Sequence, residues 1–155
     1  MKRKIFRQAA LYAAIAWLSV TYVGAQQKTE INNANAAKML AGRHKLSLQW
    51  ISWDYFGIAT VKNARGIYSI KGEQKGRGNT DFVTIDGLIT RIDAKEFVFE
   101  GKIVLQISHI NGGQPCERDG EFTFKITGKR RYWRLMQMDN PCDPVTDYVD
   151  IYFRL

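Results

Sequence analysis

Cys116 and Cys142 are the only cysteines in the chain, and two chemistries suit such a pair. A zinc site needs histidine or carboxylate partners at ligand spacing, and the two histidines, His44 and His109, have none. A disulfide needs only an oxidising compartment, and closing a loop of this length stabilises a fold by about 3 kcal/mol in the chain-entropy model. Asp139, Asp143, Asp147 and Asp150 crowd into a short stretch, but their spacing fits no calcium loop, and turn and strand-face roles account for them. Gly76-Arg77-Gly78-Asn79 lacks the Lys-Ser/Thr that a phosphate loop requires. The run from Gly128 to Arg134 mixes cations with aromatics, and its simplest reading is a basic turn entering a strand. No serine or cysteine nucleophile stands in a recognisable motif, and paired carboxylates for glycoside hydrolysis cannot be picked out by spacing. The sequence therefore predicts no catalytic residue, no metal and no cofactor. The residues best suited to recognition are Trp53 and Tyr55, with His109 and Arg118 near Cys116, because exposed rings offer contact area at low entropic cost.

The first residues bear on compartment. Lys2, Arg3, Lys4 and Arg7 precede an apolar run from Ala9 to Val23, and small residues follow at Gly24 and Ala25. This three-part order predicts a signal peptide over residues 1–25, with Val23 and Ala25 at the −3 and −1 positions and Gln26 opening the mature chain. The apolar run is shorter than the ~20 residues of a spanning helix, so the mature form is expected to lack an integral span and to be secreted or periplasmic. Of the formal +8 charge, four units belong to this leader, leaving 19 basic against 15 acidic residues, or +4. That balance falls short of a nucleic-acid-binding signature.

The elements that must position these residues read from the periodicity. Residues 26–44 are polar and then alanine-rich, and Thr29 as cap with Gly42 as stop predicts a short helix. From residue 45 the period is two. Phe97, Phe99, Ile103, Leu105 and Ile107 alternate with polar neighbours, as do Phe122, Phe124 and Ile126, and Val149, Ile151, Phe153 and Leu155. Weaker runs at 45–52, 57–62, 66–74, 82–92 and 131–138 bring the count to eight strands. A change of apolar phase around Asp86 and Gly87 predicts a bulge or bend there.

Short turns are expected at 63–65, 93–95 and 128–130, and longer connections at 53–56, 75–81, 108–120 and 139–146. In an up-and-down meander these fall at opposite ends, which puts both cysteines at the long-loop rim within bridging distance. The fold class expected is thus all-β: an eight-stranded antiparallel up-and-down barrel over residues 45–155, with a short N-terminal helix. Eight strands enclose space for side chains or one small ligand, and Trp50, Phe97, Phe99, Phe122, Phe124 and Phe153 make that space narrow.

In layout, from about Ala41 onward, the barrel resembles the lipocalins and other calycins. Thr146-Asp147-Tyr148 repeats the letters of their Thr-Asp-Tyr element, although here it opens the last strand, and Gly42 lies too far from Trp50 for their Gly-x-Trp. The resemblance carries over no site residue. Two functions suit an exported monomeric barrel of this kind. The first is binding of a small lipophilic ligand at the long-loop rim; the alternative is a protein or glycan interaction module, such as an inhibitor or envelope-associated binder. A small outer-membrane barrel is the architectural rival. Strand lengths and mid-face phenylalanines argue against it and predict that the apolar faces point inward.

Overall fold

A computed structural model describes residues 27–153; the predicted leader, its cleavage point and the last two residues lie outside this range. Strand β1 (Glu30–Ile31) and helix α1 (Ala34–Leu40) precede eight strands: β2 (Gly42–Leu48), β3 (Gly57–Ala64), β4 (Ile67–Lys75), β5 (Phe82–Ile92), β6 (Glu96–Gln106), β7 (Cys116–Lys125), β8 (Tyr132–Leu135) and β9 (Val149–Tyr152). Each pairs antiparallel with the next, and β9 returns to β2 through Leu46–Ile151 and Leu48–Val149. The result is a closed eight-stranded antiparallel barrel with one short helix. No described helix is long and apolar enough to cross a membrane.

The period-two pattern decides which faces point inward. Leu46 and Leu48, Ala59 and Val61, Val83 and Ile85, Phe97 and Phe99, Phe122 and Phe124, and Val149 and Ile151 are all buried in one core. Their alternates Lys45, Glu100, Lys102 and Glu121 are exposed. Phe97 stacks on Phe124 with ring centres 5.1 Å apart, and Phe99 on Phe122 at 5.8 Å, so cross-strand aromatic pairs fill the middle of the barrel.

Several boundaries differ from the sequence expectation. The barrel starts at Gly42 rather than residue 45, and β7 begins at Cys116, four residues before the predicted end of the loop. Arg118 conceals that start, because it is a cation on an apolar phase. The helix is capped by Asn33, whose side chain accepts from the Ala36 amide at 2.9 Å, and not by Thr29. Thr29 is buried instead; its hydroxyl donates to Ile89 O and accepts from Tyr68 N, splicing the parallel strand β1 onto β5 beside the start of β4. The apolar phase runs unbroken through Gly87, and the register shift falls at Ile89/Arg91. Gly87 takes an inward position because Gly101 opposes it and the Phe99 ring lies over both; a Cβ on Gly87 would sit 2.5 Å from that ring.

At the short-turn end, α1 directly precedes β2 and buries Ala36, Ala37 and Leu40 in the core. His44, which the sequence suggests is a surface residue, is fully buried here. Its Nε2 lies 2.7 Å from Leu40 O and its Nδ1 2.9 Å from Tyr152 O. Through these two contacts the side chain ties the helix to the last strand.

Candidate functional site

The opposite end carries the four longer connections, and polar side chains join each to the next. Gln74 follows Tyr68, Ile70 and Gly72 in the inward phase of β4 and is buried. Its Oε1 accepts from Leu48 N at 2.7 Å, and its Nε2 donates to Tyr55 O at 2.9 Å, pinning both ends of the 49–56 loop. Inside that loop the Ser52 hydroxyl accepts from the amides of Asp54 and Tyr55, a local turn that lifts Trp53 outward.

Tyr55 reaches the 76–81 loop. Its hydroxyl accepts from Arg77 N at 3.1 Å, and the Arg77 guanidinium lies 4.1 Å from the ring centre. Buried Asp81 then accepts from Ser108 N at 2.8 Å, and Asp143 from Asn111 N at 2.7 Å. Gln49 closes the ring: its Nε2 donates to Thr146 O and its Oε1 accepts from Tyr148 N. The Cys116–Cys142 disulfide, with Cα atoms 6.0 Å apart, fastens the last loop to the start of β7. Every loop of this rim is therefore tied to both neighbours.

Beneath the rim lies an ion pair inside the barrel wall. Arg118 Nη2 donates to Asp147 Oδ2 at 3.1 Å, and Trp50 Nε1 donates to the other carboxylate oxygen at 3.1 Å. Burial holds the Asp147 carboxyl above the usual range while Arg118 pulls it back, and burial also lowers the Arg118 guanidinium. Arg118 Nη1 donates to Gln137 O at 2.9 Å, and its Nε is buried without a partner among the described residues.

The four residues singled out for recognition occupy this end in two groups. Trp53 is 49% exposed at the crest of its loop, and Tyr55 is half-buried beside Arg77. His109 is exposed with its ring edge-on to Trp50, 6.0 Å between centres, and Trp50 leads through Asp147 to Arg118. Arg118 itself is buried below the surface, with its Nη groups occupied. Sequence reasoning missed Gln49, Gln74 and Asp81, and it gave Asp147 a turn or strand-face role where the structure buries it against Arg118. For Gln74 a signal existed, since it is polar on an apolar phase; for the others only the closed rim reveals the partner. Among the described residues no group of three or more His, Cys, Asp and Glu gathers as a metal site.

A family model described as the PM1083 family matches residues 28–153, which takes in every barrel strand and all four rim loops. The chain is 43% identical over 156 residues to "Uncharacterized protein PM1083" of Pasteurella multocida (strain Pm70), covering 99% of this chain and 100% of that protein. No solved structure matches. No lipocalin or calycin family is identified, and the likeness to those barrels stands as one of layout. Match and identity both span the whole barrel, and the chain belongs to the PM1083 family.

Proposed function

We propose that this protein is an exported, non-catalytic binding module that presents its long-loop rim to a partner protein outside the cytoplasm. The observation that carries the reading is the ring of ties around an exposed tryptophan. Loops ordinarily lose entropy when a partner immobilises them, by about 0.5–1.5 kcal/mol per ordered side chain. Here Gln49, Gln74, Asp81, Asp143 and the disulfide already hold the backbone, while Trp53 and the Arg77–Tyr55 stack face outward. Tryptophan, tyrosine and arginine are the side chains that dominate binding energy at protein interfaces.

A small lipophilic ligand has weaker support, because Phe97, Phe99, Phe124 and their aliphatic neighbours fill the interior. Export rests on the leader-like first residues and on the disulfide, a bond that persists in oxidising compartments. The test is photo-crosslinking in the producing cell from a benzophenone side chain at position 53, with position 84 on the barrel wall as control. A discrete extracytoplasmic protein adduct from position 53 alone is the expected result. Adducts of equal yield from both positions, or a lipid as the sole adduct, would overturn the reading.

A further inference from the structure

The barrel wall is closed, but not along its whole height. Strand β8 pairs with β7 only at Phe124–Leu135 and Lys125–Arg134, and one further backbone bond runs from Met136 N to Thr123 O. Beyond it the pairing with β7 stops, and the chain returns beside that strand at the Cys116–Cys142 bond, where the Cα atoms are 6.0 Å apart. Thr123 N takes the Gln137 side chain in place of a backbone carbonyl, at 3.0 Å, and Arg118 spans the gap from within to Gln137 O. Thr123 directs its N–H and C=O away from β6, and strand periodicity then directs those of Glu117, Asp119 and Glu121 the same way. No backbone partner receives them among the described residues. A closed barrel normally leaves no such edge.

The outer face of this edge is acidic and incompletely neutralised. Lys102 pairs with Glu117 at 2.6 Å and reaches Asp119 at 3.6 Å. Glu100 and Glu121, directly opposite in the β6–β7 register, are both exposed, and neither has an ion-pair partner among the described residues. Like charges placed directly across a strand pair repel, and a cation between them removes that cost. Beside the edge Met136 is 38% exposed, an apolar contact for a flanking side chain.

We infer that residues 117–121 of β7 form a strand-addition site for an extended, basic segment of a partner protein. The segment's backbone pairs with the free amides and carbonyls of Glu117, Asp119 and Glu121, as in other β-augmentation complexes. Its Lys or Arg side chains, on alternate residues, fall on the carboxylate side of the wall and pair with Glu100 and Glu121. The open edge and the unpaired carboxylates carry this site independently of the rim.

Amide hydrogen exchange on the oxidised full chain tests it, with an alternating Lys-Val octapeptide as probe and its Glu-Val counterpart as control. In dilute protein alone, the amides of Glu117, Asp119 and Glu121 should exchange at least about 100-fold faster than that of Phe122, which faces β6. The Lys-Val peptide should slow those three amides by at least about tenfold and the Glu-Val peptide should not, and Glu100→Gln with Glu121→Gln should weaken binding by about tenfold. Slow exchange in dilute free protein would show a closed edge and overturn the proposal. Protection that appears only as protein concentration rises would make a second copy the occupant and overturn it too. Equal protection by both peptides, or by neither, would do the same.

Discussion

Arg118 and Asp147 show how a buried pair constrains a small barrel. Removing one partner strands an uncompensated charge in the interior and costs about 3–5 kcal/mol, whereas replacing both with apolar groups is often near neutral. Arg118→Leu is therefore expected to lose stability on that scale in urea unfolding. Arg118→Leu with Asp147→Leu should recover most of it, less what Trp50 loses as donor to Asp147. The carboxyl also sets a pH dependence. Its pKa in the fold is raised by burial, so the native state holds that proton more tightly than the unfolded chain. Its contribution to stability is full below the ordinary carboxylate pKa and is lost as pH rises through the raised value. Asp147→Asn should flatten that part of the stability curve, from the ordinary carboxylate pKa upward. At this scale the sequence was legible only in part. The cysteine pair followed from composition and compartment, but burial of Arg118, His44 and Asp147 depends on partners far away in the chain, which local pattern does not encode.

Among the elements, the pairing of β5 with β6 is tight where Gly87 meets Gly101. A Cβ on Gly101 would lie 2.3 Å from Asp86 O and 2.9 Å from the Phe99 ring. Gly101→Ala should therefore destabilise by about 3 kcal/mol, since overpacking a barrel wall forces backbone displacement. Adding Phe99→Leu should fail to rescue it, because the nearest atom belongs to backbone. The strands themselves were legible where one face is dry: β5 has the bounds its apolar pattern suggests, and β6 ends one residue short of them. Ends were legible less well. Strand β8 stops at Leu135, not 138, because the chain leaves β7 toward the rim. The two-residue β1 escaped notice because so short a parallel pair leaves no periodic trace. The phase change expected at Gly87 lies instead at Ile89/Arg91, since glycine has no side chain to mark the face it occupies.

For the whole molecule, the alternation of short and long connections foretold the two ends of the barrel and put Cys116 and Cys142 at the same one, where the structure bonds them. It did not foretell that the long-loop end is cross-tied all the way round, because Gln49, Gln74 and Asp81 act through backbone atoms whose neighbours only the closed fold supplies. The proposed function depends on that rim being preorganised before any partner arrives. The most direct measurement is backbone amide relaxation of the oxidised protein across 49–56, 76–81, 107–115 and 136–146. Order parameters near those of the strands, about 0.85, are expected throughout, including the crest at Trp53. Values below about 0.6 in two or more of the four loops would show a mobile rim and contradict the proposed function.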